Sequence, residues 1–237
     1  MPKNFKTGYY KRTENLDNIL VSPKRMVKSQ ELDESRKKNL IEWITFYRRN
    51  MHRFVEHYLG IELYFYQKIW IYYMSTRDSF VAIASRASAK TWLVGVLAVA
   101  KAILYPNSEI VVVSSTKEQA GIIVEEKIKG LSENYPNVAR EIKNLVTNMN
   151  KWQVDFHNGS VIKVVAARDS SRGRRSTFTI YEEFRLIDKE VLDSVIRPFS
   201  YIRQAPYLKS PEWTSYGEEP KEVFISSAYH KGLWWLA

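Results

Sequence analysis

FVAIASRASAKTWLVGVL, residues 80–97, is the stretch that decides the fold. Residues 80–84 form a short apolar run of strand length and predict a buried strand. The small-residue loop SRASAK follows. From Lys90 and Thr91 an apolar-periodic segment predicts a helix to about Leu104, stopped by Pro106. A strand, a small-residue loop and a helix opening on Lys-Thr is the layout of a phosphate-binding loop. Backbone N–H groups and the helix N-terminus face an anion, the lysine reaches β- and γ-phosphates, and the threonine hydroxyl ligates Mg²⁺. The usual pattern, G-x-x-x-x-G-K-[ST], has glycines where this chain has Ala84 and Ala89. Alanine is strained wherever φ must be positive. By itself the stretch reads equally well as a strand–turn–helix with a surface lysine.

The flanking sequence extends the pattern. Residues 1–28 are polar and basic with little periodicity, which predicts an arm or lead-in. Ser29 is placed to cap a charged helix running to about Leu59 and ended by Gly60. Its apolar positions Leu40, Ile44, Tyr47, Met51, Phe54 and Tyr58 recur at helical spacing. An aromatic helix over about 64–75 leads into the loop-bearing strand. Beyond the central helix, EIVVVS at 109–114 predicts a buried strand, and Thr116 caps a helix to about Ser132. Residues 152–156 and 161–166 flank His157-Asn158-Gly159-Ser160, a hairpin signal because Asn-Gly supplies the positive φ of a tight turn. Residues 178–181 form the next strand, Asp188 caps a helix to about Ile196, and 222–226 form the last strand. Strands alternating with helices predict an α/β fold, a mainly parallel sheet covered on both faces.

At 237 residues, 45% of them hydrophobic, the chain can bury one large α/β core with room for an appended segment. A formal charge of +10 favours a polyanionic partner, most simply nucleic acid. With no cysteine there is no disulfide, thiolate metal site or cysteine nucleophile, which suits a reducing cytosol. No apolar stretch resembles a signal peptide or reaches the length of a membrane span, so a soluble, intracellular protein is expected.

Four further groups of residues carry chemistry. FTIYEE at 178–183 feeds paired acids to the C-terminal end of a strand, where α/β sheets place ligands. Glu182 would hold the Mg²⁺ shell, and Glu183 would orient and help deprotonate an attacking water. Tyr66 and Gln67, upstream of the loop, offer a ring to stack and an amide that both donates and accepts, suited to an adenine. Ser226, Ser227 and Ala228 end the last strand, where hydroxyls can sense a γ-phosphate. Arg86 lies within the loop, and Arg172, Arg174 and Arg175 precede the paired acids; any of them could stabilise transition-state charge. Each group also has an ordinary structural reading: surface acids, turn-forming serines, a solvated basic loop.

In this order the motifs resemble the ATPase domain of the large terminase subunit, the DNA-packaging motor of tailed bacteriophages. The resemblance spans about residues 62–228. It rests on the aromatic-Gln pair (Tyr66, Gln67), a degenerate Walker A containing Arg86, Lys90 and Thr91, and the hairpin at 158–160. It continues through an Arg-Gly loop, the acid pair Glu182-Glu183 and a small-hydroxyl coupling motif at Ser226, Ser227 and Ala228. The resemblance implies a P-loop fold of the ASCE, RecA-like kind. It implies ATP and Mg²⁺ as ligands, the former held by Tyr66, Gln67 and the loop residues Ser85, Arg86, Ala87, Ser88, Ala89, Lys90 and Thr91. It implies Thr91 and Glu182 at the metal, and Glu183, Arg86 and Arg172 in catalysis, Arg172 acting in trans. Residues 1–60 would form the arm and the helical lid region, and residues 61–237 the ATPase domain. The family's C-terminal nuclease domain is not expected in this chain. Double-stranded DNA, the portal protein, the small terminase subunit and a homo-oligomeric ring, usually of five, are the implied partners, with no membrane. The implied location is the bacterial host cytoplasm, at the procapsid during packaging. Two other readings compete: a helicase-like nucleic-acid-dependent ATPase, and a non-hydrolysing DNA-binding scaffold on a decayed nucleotide fold.

Overall fold

A computed structural model describes residues 34–148, 151–168, 174–200 and 220–228. The predicted strand 80–84 is β1 (Ser79–Ala84), but it is an edge strand and not the buried one expected, with only Ala82 buried and Val81 56% exposed. The helix that opens on Lys-Thr is α4 (Lys90–Leu104). Before them come α1 (Glu34–Arg49), α2 (Met51–His57) and α3 (Phe65–Thr76). After them come β2 (Glu109–Ser114) and a long helix, α5. That helix is α-helical at Lys117–Ile122, π-type at Ile123–Ile128 and α-helical again at Lys129–Asn134. A short α6 (Pro136–Glu141) precedes β3 (Ile142–Asn148), β4 (Lys151–Phe156), β5 (Val161–Ala166) and β6 (Phe178–Glu182). A 3₁₀ turn (Phe184–Leu186) and α7 (Lys189–Val191, continuing as a π-turn over Leu192–Ile196) lead towards β7 (Lys221–Ser227).

The seven strands lie in the order β1-β7-β6-β2-β5-β4-β3. The first five are parallel, and β4 and β3 extend the sheet antiparallel. The fold is therefore the expected mixed α/β sheet flanked by helices. Alternation along the central strands feeds two cores: Ile110 and Val112 of β2 face one, Val111 and Val113 the other. The larger core collects α1 to α6, and the smaller gathers Phe184, Leu192, Val195, Ile196 and Phe199 against Tyr181 and Phe224.

Other elements also differ from the sequence reading. The helix expected to run unbroken to Leu59 is interrupted at Asn50 (φ −131°, ψ 56°). The Asn50 side-chain amide donates to Phe46 O at 2.9 Å, a local bond that competes with helix continuation. The expected cap at Ser29 lies outside the described residues, as does the arm at 1–28. The sequence reading also foresaw neither α6, a helix of six residues opening on Pro136, nor β3. The latter is an edge strand with no fully buried residue, so it lacks the apolar alternation that marks a half-buried strand.

The described part of the expected lid region packs into the larger core. Trp43 meets Tyr47, Phe54 and Tyr58 edge-on, with ring centroids at 4.8, 6.0 and 6.0 Å. Arg48 donates through Nε and Nη2 to Leu104 O, at the end of α4 remote from the loop. The Asn-Gly hairpin caps that same end. Asn158 Nδ2 donates to Ala102 O at 2.8 Å and to Ile103 O at 3.1 Å, and Gly159 turns at φ +84°. No described helix is long and apolar enough to cross a membrane.

Candidate active site

The parallel strands converge on one cleft of about 590 Å³ at their C-terminal ends, where open α/β sheets bind ligands. On one wall is the loop after β1. Ala87 (φ 62°) and Ala89 (φ 53°) both adopt left-handed backbone, as the phosphate-loop layout requires and as alanine resists. Ser88 Oγ donates to Ser85 O at 2.8 Å and closes the loop. α4 starts at Lys90, which is buried, and Thr91 follows on the same first turn.

Opposite stand the two acids at the end of β6, in different environments. Glu182 is 5% exposed. Its Oε1 accepts from Thr91 Oγ1 at 2.6 Å, and its Oε2 is buried without a hydrogen-bond partner. Burial foremost, with the neighbouring Glu183 charge, pushes its pKa up to about 7 against the pull of Thr91 and Lys90. Glu183 sits in left-handed backbone (φ 47°, ψ 47°), which carries its carboxylate to the end of β7. There Ser227 Oγ donates to Oε1 at 2.5 Å, and Ser226 Oγ and Ser227 N donate to Oε2 at 3.0 Å each. Arg185 Nε lies 3.2 Å from Oε2, and Lys90 Nζ 3.8 Å from Oε1. Burial acts to raise the Glu183 pKa, but these donors outweigh it and hold the value down at about 2. Two adjacent carboxyls are thus split into one that resists ionisation and one that is ionised throughout the physiological range.

The structure brings together Ala87, Ser88, Ala89, Lys90, Thr91, Glu182 and Glu183 around the cleft, with Ser226 and Ser227 behind Glu183. Ala228 N donates to Ala84 O at 2.9 Å, joining the coupling-motif candidate to the root of the loop. Tyr66 reaches the loop through its hydroxyl, 3.3 Å from Ser88 O. Gln67 is buried, and its carbonyl oxygen accepts from Tyr64 N at 2.9 Å, so half of its amide already serves the start of α3. Ser85 and Arg86 are exposed and do not line the cleft. Arg172 lies outside the described residues, and Arg174 and Arg175 are exposed. Sequence reasoning missed Ser114, Gln119, Lys127 and Arg185. Ser114 ends β2, beside the acid-bearing strand, and its place at a strand's C-terminal end was the available signal. Gln119 is held by Ser115 Oγ at 2.9 Å and by Ser114 Oγ at 3.4 Å, and it lines the cleft with Lys127.

Residues 63–206 match the family model of the terminase large subunit, ATPase domain. The chain belongs to that family. It is an ATPase domain of the bacteriophage DNA-packaging machinery, and the helicase-like and scaffold readings are not favoured. Solved structures agree in fold. The large terminase ATPase domain of Thermus phage P74-26 superposes with a TM-score of 0.54 at 24% identity, covering 75% of this chain and 69% of that one. An arginine-to-alanine mutant of the same domain gives 0.58 at 20% identity, covering 79% and 74%. The large terminase of bacteriophage HK97 gives 0.53 at 17% identity, and the match covers 76% of this chain but 37% of that longer protein. No curated protein matches the sequence.

Proposed function

We propose that this terminase ATPase domain hydrolyses Mg²⁺-ATP in the cleft between the loop after β1 and the acids after β6. The observation that carries the reading is the Thr91–Glu182 pair. It presents a buried, unpartnered carboxylate oxygen beside Lys90 and Glu183. An orphaned carboxylate oxygen next to a hydroxyl is a fitting partial shell for a divalent cation. No cluster of three or more His, Cys, Asp or Glu ligands exists among the described residues, so phosphate oxygens and water would complete the shell. Thr91 and Glu182 would hold Mg²⁺, and the ion would neutralise charge on the β- and γ-phosphoryl oxygens.

Lys90 and the loop N–H groups of residues 85–91 bind the phosphates, and Tyr66 and Gln67 flank the base. Glu183 orients a water whose oxygen attacks the γ-phosphorus. The bond from that phosphorus to the bridging oxygen breaks, ADP leaves with the electron pair, and the water's proton passes towards the carboxylate. With its pKa so low, Glu183 acts mainly by position, which suits a loose phosphoryl-transfer transition state. Arg86 serves its own site, Arg172 reaches a neighbouring subunit's site, and Ser226, Ser227 and Ala228 couple hydrolysis to movement. The assembled motor is a homo-oligomeric ring, usually of five, on the portal of the capsid in the bacterial host cytoplasm. It acts on double-stranded DNA delivered with the small terminase subunit.

The test is ATP hydrolysis with Mg²⁺ across a range of protein concentrations, beside Lys90→Ala and Arg172→Ala. A specific rate that climbs with concentration and collapses in both variants supports the ring with a shared arginine. Turnover unaffected by Lys90→Ala would overturn the assignment of the cleft.

A further inference from the structure

We propose that Arg185 is a positioning residue for hydrolysis, pinning one oxygen of the Glu183 carboxylate so that the other is presented to the cleft. The inference rests on the reading of Glu183 as the group that orients the attacking water. It starts from the backbone. After β6, Glu183 turns into left-handed conformation and a single 3₁₀ turn follows, closed by Leu186 N to Glu183 O and Ile187 N to Phe184 O, both 2.9 Å. Phe184 anchors that turn in the smaller core, edge-on to Phe224 with centroids 5.8 Å apart, while Leu186 is half exposed. Arg185, between them, folds back over Glu183 with its side chain 15% exposed.

The two carboxylate oxygens are then unequal. Oε2 faces three donors: Ser226 Oγ, the Ser227 backbone N–H and Arg185 Nε. A carboxylate oxygen offers about two lone-pair directions, so this atom is saturated. Oε1 has one close donor, Ser227 Oγ, and its other near neighbour is Lys90 Nζ at 3.8 Å, on the cleft side. Oε1 is therefore the oxygen available to a water beside the phosphates. The serines reach Glu183 from the end of β7, with two bonds to Oε2 and one to Oε1. Arg185 comes from the following turn and opposes rotation of the carboxylate about its last torsion. A guanidinium suits this task because its N–H groups are fixed in a plane and it stays charged at every working pH.

The experiment compares Arg185→Ala, Arg185→Lys and Glu183→Gln with the wild-type full chain, measuring kcat and, separately, the affinity for a fluorescent ATP analogue. Arg185→Ala is expected to lower kcat by roughly tenfold to a hundredfold, the scale of a misplaced catalytic group. Its analogue affinity should stay within about twofold of wild type. Arg185→Lys should recover part of kcat, and it keeps the test open if the alanine variant does not fold. A wild-type kcat in Arg185→Ala with Glu183→Gln inactive overturns the proposal alone. An increase in kcat overturns it too, and makes Arg185 a restraint that parks the carboxylate. Loss of affinity and kcat together, without recovery by lysine, assigns a structural role instead. A fully active Glu183→Gln overturns the underlying reading of Glu183, whatever Arg185 does.

Discussion

Replacing Glu182 by glutamine should stabilise the nucleotide-free protein at alkaline pH while abolishing hydrolysis. The folded protein holds the Glu182 pKa at about 7, against 4.5 for an unperturbed carboxyl, so the unfolded chain gives up its proton first. Between those two values the folded state binds more protons than the unfolded state, and stability falls as pH rises. Integrated to pH 8, ionising Glu182 in the folded protein costs about 3 kcal/mol, whereas by pH 5 the accumulated cost is under about 1 kcal/mol. Glutamine mimics the protonated acid. Its carbonyl can still accept from Thr91 Oγ1, and it places no negative charge beside Glu183. Urea unfolding of both proteins at pH 5 and pH 8, without nucleotide or Mg²⁺, reports the effect, because titrations not coupled to Glu182 cancel in the difference and Glu183 stays ionised at both pH values. The variant should be more stable by up to about 3 kcal/mol at pH 8 and by less than about 1 kcal/mol at pH 5. An equal difference at the two pH values, or a variant less stable at pH 8, would refute the reasoning. The opposed effects on stability and activity are what a destabilised functional carboxylate should give.

Ala89→Gly should leave stability unchanged or raise it by up to about 1 kcal/mol, since glycine relieves left-handed strain while loosening the unfolded chain. Chemical denaturation checks this, and a loss comparable to glycine in an ordinary helix would argue against strain at that position. Asn158→Ala removes the amide that caps the Ala102 and Ile103 carbonyls and should destabilise the fold by about 1–3 kcal/mol. Because that cap lies at the end of α4 away from the cleft, hydrolysis per folded molecule should be unchanged in the same preparation.

Most of the architecture could be read from the chain because it is written in apolar runs and breakers. Residues 110–113 and 178–181 are dominated by apolar side chains and buried throughout, as central strands of a parallel sheet covered on both faces demand. The equally apolar 80–84, by contrast, forms an edge strand with Val81 56% exposed. What stayed hidden was decided by contacts distant in sequence. Ile142–Asn148 pairs only on one side and buries little, so its sequence IKNLVTN lacks a strand's signature. Arg185 looks like any charged residue after a strand until the left-handed turn at Glu183 folds it back. The hairpin at 158–160 was legible as a turn, but its service to α4 depends on bonds across about 55 residues. Ser226 and Ser227 were placed at a strand's end correctly, yet their engagement with Glu183 followed only from β7 lying beside β6.

That neighbourhood also gives a physical path between the two halves of the cleft. β7 runs between β1, which carries the loop, and β6, which carries the acids, with Ser227 beside Ala84 and Ile225 beside Glu182. Consecutive amides at its end point to different motifs: Ser227 N–H bonds Glu183 and Ala228 N–H bonds Ala84 O. Under the proposed function, a displacement of the Glu183 carboxylate would bear on the strand whose next amide holds the root of the loop. Three of the four non-glycine residues with positive φ among those described, Ala87, Ala89 and Glu183, sit on this circuit. Strain of that kind persists only where the surroundings over-determine the backbone. Here the strands of the sheet and helix α4 supply the constraint, and under the proposed function the strained residues are the ones that border the phosphates.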